Sequence, residues 1–215
     1  AAINAPVCAN GVQITISASI GVTLYPQDNE DPDTLLRHAD QAMYQAKEAG
    51  KNRYQLFDPE SDRKAQIHRK YLATMLLSLQ KQEFVLFYQP KVDLDDGRVI
   101  GVEALIRWQH PERGLLAPVE FLPHLHGSHL ESTFGEWVIQ TAMSQAAHWH
   151  RLGVPLIVSV NVSANHLLQP GFLAHLQAAL ACHPDFKPDY FELEVLESAA
   201  IADMAGAFRV AAGAG

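Results

Sequence analysis

A chain of 215 residues holds one domain or two, since a domain usually takes about 100–200 residues. At 48% hydrophobic and 19% charged it carries enough apolar material for a sizeable core, and its net charge of −8 excludes a broad surface for nucleic-acid polymers or anionic membranes. No apolar run nears the roughly 18 residues of a membrane span and no signal core follows the amino terminus, so the chain reads as cytoplasmic, whatever anchors a longer parent upstream.

From Val12 to Leu24 apolar and polar residues alternate, which predicts one long half-buried strand or bent ribbon. Asp31-Pro32 is a helix start, with aspartate as N-cap and proline in the first turn. Leu35, Leu36, Ala39, Ala42, Met43 and Ala46 keep the helical period, and Gly50 is placed to end it. A short strand over 53–57 follows. This strand-helix-strand segment, residues 1–58, is thin for an independent core.

Ser17-Ala18-Ser19-Ile20-Gly21-Val22 with Tyr25-Pro26, then Ala39-Asp40-Gln41-Ala42-Met43-Tyr44-Gln45-Ala46-Lys47 and Gly50-Lys51-Asn52-Arg53, resemble the carboxyl-terminal third of a GGDEF (diguanylate cyclase) domain, an α+β fold. The resemblance implies a triphosphate contact for Lys47, while Lys51 stands where the family usually has arginine and loses its bidentate fork. As residues alone, both read as cations at a solvated helix end. The motif that names that family is absent, so no cyclase activity is expected.

Pro59-Glu60-Ser61-Asp62 reads as a charged linker. After it Ala65, Tyr71, Leu72, Met75, Leu76 and Leu79 share one helical face, so residues 59–82 form a linker and amphipathic helix.

Residues 83–215 open with a strand over 84–94, whose Pro90 belongs at an edge or an irregular position. The next strand, Val99 to Trp108, puts Glu103, Leu105 and Arg107 on one face and Val102, Ala104, Ile106 and Trp108 on the other. A turn over 110–114, a short helix from Pro118, a longer helix over 134–152, a strand over 156–162, a helix over 172–182 and a strand over 190–196 follow. That alternation predicts parallel pairing with helical crossovers. Asn161 and Glu194 recur where apolar strands end, as Glu103 does, and chemistry in α/β barrels collects at the carboxyl ends of parallel strands. Two carboxylates and an amide make a hard oxygen set, suited to Mg²⁺ or Mn²⁺ rather than zinc.

Tyr88-Gln89-Pro90-Lys91-Val92, Glu103-Ala104-Leu105-Ile106-Arg107-Trp108, His110-Pro111, Ser159-Val160-Asn161-Val162-Ser163 and Glu192-Leu193-Glu194-Val195-Leu196-Glu197-Ser198 together resemble the first half of an EAL domain. The resemblance implies a TIM-like (β/α) barrel with one antiparallel strand, about four of its eight strands being present. It implies hydrolysis of cyclic di-GMP to linear pGpG, with Glu103, Asn161 and Glu194 as ligands of a two-metal Mg²⁺ or Mn²⁺ site. Gln89, Leu105 and Arg107 match residues lining the dinucleotide site, and Glu197 matches a glutamate that holds an active-site loop.

Leu196 replaces the threonine usual between the last two glutamates. His124, His126 and His129 stand in a normally acidic, apolar stretch; their spacing invites a zinc reading, while the loop context favours ordinary loop residues. Residues 199–215 read as one small-residue helix, and the paired-aspartate strand of the family does not follow. The resemblance therefore implies an incomplete and inactive fragment of a cyclic di-GMP phosphodiesterase. The alternatives are a degenerate EAL domain acting as a cyclic di-GMP receptor or regulatory module, and a homodimer formed over open strand edges.

Overall fold

The computed structural model describes residues 6–10 and 12–195. The chain divides into two compact units, Ala1–Arg69 and Lys70–Gly215, and the division falls inside one helix, α2 (Pro59–Gln80).

In the first unit β1 (Val7–Ala9) pairs antiparallel with β2 (Val12–Ile14), and β3 (Ile20–Val22) pairs in parallel with β4 (Tyr54–Leu56). A parallel pair needs a crossover, which α1 (Pro32–Glu48) supplies. Asp31 caps α1 as its sequence predicts: Oδ1 accepts from the amides of Asp33 at 3.0 Å and Thr34 at 3.2 Å, and Thr34 Oγ1 donates to Oδ2 at 2.7 Å. These bonds, the Thr34 hydroxyl foremost, hold the Asp31 carboxyl below its usual range.

Two local expectations change. The alternation from Val12 to Leu24 gives β2 and β3 with residues 15–19 outside regular structure, and Val12, Ile14, Ile16, Ile20 and Leu24 are exposed. An alternating sequence becomes a strand only where a ladder partner stands, and β1 and β4 are three residues each. The run Pro59–Asp62 is the first turn of α2 rather than a linker. Asp58 caps it as Asp31 caps α1, accepting from Glu60 N at 3.0 Å, Ser61 N at 3.2 Å and Ser61 Oγ at 2.7 Å. Asp-Pro, an acidic residue and a hydroxyl form the same helix-start signal in both places.

The second unit is built on a sheet ordered β5 (Phe84–Val92), β6 (Val99–His110), β8 (Ile157–Val162), β9 (Phe191–Val195), with β7 (Gly114–Leu116) folded back on the end of β6. β5 runs antiparallel to β6, whereas β6, β8 and β9 are parallel. Pro90 lies on β5, one of the two edge strands of this sheet among those described, the setting in which a strand tolerates a residue without an amide. The short helix α3 (Leu122–Leu125), α4 (Glu131–Arg151), α5 (Ala164–Leu167) and α6 (Phe172–Ala181) fill the connections.

Period two sorts the sheet's side chains into two faces. On the outer face Val102, Ala104, Val158, Val160 and Val162 pack with Ile139, Ala142, Met143 and Ala146 of α4. Farther along the same face Ile106 and Trp108 join Phe84, Phe121, Phe134 and the α2 residues Leu72 and Met75. Trp108 is fully buried and stacks on Phe84, ring centroids 5.1 Å apart. Apolar cover on this face leaves the polar residues to the other.

Candidate functional site

The inner face carries its polar groups in rows fixed by strand register. Gln89, Glu103, Ser159 and Glu192 are successive cross-strand neighbours through β5, β6, β8 and β9. One step toward the carboxyl ends of the parallel strands, Asn161 and Glu194 are neighbours; one step back, Lys91, Gly101 and Ile157 are.

Glu103 and Asn161 meet directly, Asn161 Nδ2 donating to Glu103 Oε1 at 2.7 Å. Glu194 stands beside Asn161 in register, and its carboxylate takes a hydrogen bond from Lys91 Nζ. The same ammonium donates to Ser159 Oγ at 2.6 Å and Glu192 Oε2 at 3.4 Å. Ser159, fully buried, donates in turn to Glu192 Oε2 at 2.6 Å. That hydroxyl, ahead of the Lys91 charge, holds the Glu192 carboxyl below its usual range. The bond that Lys91 donates to Glu194, with the charges of Glu194 and Glu192, holds the ammonium above its own usual range.

Of the residues expected at the dinucleotide site, Gln89 stands beside this cluster and Arg107 lies four residues beyond Glu103 on β6. Gln89 faces Glu103 across the β5–β6 ladder, and Arg107 donates to its neighbouring carbonyl, Ile106 O, at 2.9 Å with its guanidinium 5.7 Å from the Phe87 ring. The third, Leu105, lines a cavity of about 610 Å³ together with Glu103, Asn161, Leu122, Glu131 and His166. The cavity lies beside the middle of β6, where Glu103 stands rather than at the strand's end, and at the carboxyl end of β8, the kind of place where α/β barrels hold their chemistry.

Sequence reasoning assigned no role to Lys91, Glu131 or His166. Glu131 gathers the rim of the cavity: Oε2 accepts from Gly127 N at 2.8 Å and Asn165 Nδ2 at 3.3 Å, and His126 Nδ1 lies 3.7 Å from Oε1. Burial pushes the Glu131 carboxyl up, but bonds from Ser163, Gly127 and Asn165 outweigh it and the net direction is down. His166 is 2% exposed, neither ring nitrogen has a hydrogen-bond partner, and burial holds its pKa down. Period two on β5 puts Lys91 on the face of Gln89, a signal the sequence does carry.

The histidine-rich turn does not converge on a point. His124 lies against Tyr71, ring centroids 4.5 Å apart, and among the described residues no group of three or more His, Cys, Asp or Glu is placed to hold a metal ion. Glu103, Asn161 and Glu194 pass a different test: they share one face at neighbouring rungs, the first two already touch, and every head group offers oxygen. That donor set fits a hard divalent cation. Leu196, Glu197 and the helix expected over 199–215 lie outside the described residues.

An antiparallel first strand followed by parallel strands, with helices on one face and carboxylates toward the strand ends of the other, defines part of a TIM-like (β/α) barrel. The sequence pattern of the EAL domain matches residues 72–211, and that of the diguanylate cyclase GGDEF domain matches residues 1–53. The chain belongs to the EAL domain family, with a short GGDEF portion ahead of it. It is 39% identical over 192 residues to the bifunctional diguanylate cyclase/cyclic di-GMP phosphodiesterase MucR of Pseudomonas aeruginosa, across 89% of this chain and 28% of that protein. It is 34% identical over 190 residues to the cyclic di-GMP phosphodiesterase PdeR of Escherichia coli, across 88% of this chain and 28% of that protein. The solved structure of the PaMucR phosphodiesterase in its c-di-GMP complex superposes with a TM-score of 0.63 at 35% identity, covering 67% of this chain and 59% of that one. The chain thus spans well under a third of the length of either curated relative.

Proposed function

We propose that this EAL domain binds cyclic di-GMP and belongs to a phosphodiesterase that opens it to linear pGpG. The observation that carries the reading is the meeting of Glu103 and Asn161, which line a cavity of about 610 Å³, with Glu194 beside Asn161 in register. Glu103, Asn161 and Glu194 would hold Mg²⁺ or Mn²⁺. A bound divalent ion supplies charge stabilisation at phosphorus and a lowered water pKa there.

The chain's own groups supply binding and orientation. Arg107 offers a guanidinium to a phosphate oxygen, a charge-assisted and directional contact. Gln89 offers both a donor and an acceptor from the rung beside Glu103, and Leu105 gives the dinucleotide an apolar wall. Glu197 is assigned the support of the loop after β9. In this reading residues 1–58 are the carboxyl-terminal portion of a GGDEF domain, 59–82 join the two parts, and 83–215 belong to the EAL domain. Among the described residues no helix is long and apolar enough to cross a membrane, and we place the domain in the cytoplasm with its nucleotide.

Calorimetry with cyclic di-GMP and Ca²⁺ tests binding, and chromatography of the products in Mn²⁺ tests turnover by the full-length parent. The expected result is saturable binding and pGpG, both lost in Glu103→Gln. Binding without pGpG would make the domain a receptor, and no binding at all would overturn the proposal.

A further inference from the structure

Lys91 has no role yet in binding or turnover, although it donates to three side chains of the site. Its ammonium carries three protons and meets three partners: Ser159 Oγ at 2.6 Å, Glu192 Oε2 at 3.4 Å and Glu194 Oε1. Those partners stand on β8 and β9, two and three strands from β5. The path between them is open because the rung neighbour of Lys91 on β6 is Gly101. A Cβ at Gly101 would lie 2.8 Å from Ile157 O and 3.3 Å from Ile157 Cβ, so the position admits no side chain to block the crossing.

The face therefore divides into two hydrogen-bonded sets, with one ammonium set against three carboxylates. Asn161 serves Glu103, and Lys91 serves Glu192 and Glu194. A divalent ion arriving at Glu103, Asn161 and Glu194 finds one oxygen of Glu194 already taken by a cation. Either the ammonium withdraws or it stays as a like charge beside the ion, and both courses weaken metal binding. A place to withdraw to is built in: Ser159 and Glu192 already touch the ammonium, and closing the 3.4 Å gap to Glu192 would free Glu194.

We propose that Lys91 is an internal counter-ion of Glu194, holding that carboxylate in place while no divalent ion is bound and yielding it, toward Glu192, when one arrives. Lys91 thereby sets the cation affinity of the site as a positioning residue. This rests on the assignment of Glu103, Asn161 and Glu194 as the cation ligands.

The test is an electron-paramagnetic-resonance titration of Mn²⁺ on the full chain, paired with melting curves in EDTA and in Mn²⁺. Lys91→Met should bind Mn²⁺ at least about tenfold more tightly, since a like charge is removed. It should also melt below the parent in EDTA and gain more from added Mn²⁺. Lys91→Arg, which keeps the charge, should stay within about threefold of the parent. Glu192→Gln removes the place of withdrawal and should weaken Mn²⁺ several-fold. A merely structural lysine would give weaker or unchanged binding in Lys91→Met, and that result overturns the proposal. Should Lys91→Met not fold, unchanged or tighter binding in Glu192→Gln overturns it instead. Equal Mn²⁺ binding by the parent and Glu194→Gln would refute the ligand assignment and this inference with it. Parent binding that Glu194→Gln abolishes and Lys91→Met leaves unchanged refutes the role of Lys91 alone.

Discussion

Gly135 and His166 form a contact whose sign of energy reverses with one partner's identity. Gly135 lies in the second turn of α4, and an added Cβ would stand 2.2 Å from His166 Nδ1, 2.5 Å from Cε1 and 3.1 Å from Cγ. The imidazole has little freedom to yield, being 2% exposed and set edge-on against Phe172 with centroids 5.0 Å apart. Overpacking of this kind costs about 1–3 kcal/mol, and contacts this short belong at the upper end. Against it, alanine gains about 1 kcal/mol over glycine inside a helix. Gly135→Ala should therefore destabilise the second unit by about 2 kcal/mol.

In a His166→Ala background the ring is gone and only the helix gain remains, so the same substitution should stabilise by about 1 kcal/mol. The coupling of the pair comes to about 3 kcal/mol, well above the error of a double-mutant cycle. Urea unfolding read by tryptophan fluorescence suits the measurement, because the three tryptophans, Trp108, Trp137 and Trp149, all lie in the second unit. A shift of about 2 kcal/mol moves the urea midpoint by about 1 M. If Gly135→Ala is neutral in the parent, or equally destabilising in both backgrounds, the packing argument is wrong.

Trp108→Ala, which empties the centre of the second core cluster, should cost about 3–5 kcal/mol in the same assay. Arg107→Ala should raise the dissociation constant for cyclic di-GMP at least about tenfold in calorimetry, through loss of a charge-assisted phosphate contact, with the urea midpoint unchanged. The pH dependence follows from His166, which burial keeps neutral, with Glu136 and Glu131 pulling its pKa up and His175 pushing it down. The unfolded chain binds the proton that the folded chain refuses, so stability is complete above about pH 6.5 and falls as the pH drops below it, by at most about 1.4 kcal/mol per unit. Midpoints measured from pH 5 to 8 should show that slope in the parent and not in His166→Ala; the same slope in both would assign it to other groups.

How much of this was legible in the sequence depends on the range of the interaction. The Asp31-Pro32 start of α1, the edge position of Pro90 and the two faces of β6 follow from residues within a few positions of each other, and the structure repeats them. The run from Val12 to Leu24 obeyed the same alternation and still did not become one strand, because alternation cannot say whether a ladder partner is present. Lys91 stood inside a quoted motif without a role because its partners lie 68, 101 and 103 residues away. His166 sits in α5, four residues long and too short to leave a period, and its contact with Gly135 crosses 31 positions of chain.

The packing of the outer face and the chemistry of the inner one are a single constraint. On β8, Val158, Val160 and Val162 are buried against helices while Ser159 and Asn161 between them point to the polar side. A slip of one residue in β8 would exchange the two sets, putting an amide and a hydroxyl into the core and three valines beside Glu103 and Glu194. The cost of burying those polar groups unpaired, several kcal/mol in all, falls on every misregistered form. The apolar residues thus fix the height of Asn161 against Glu103 on one side and Glu194 on the other. Positions buried against the helices govern the distances among the polar groups of the other face.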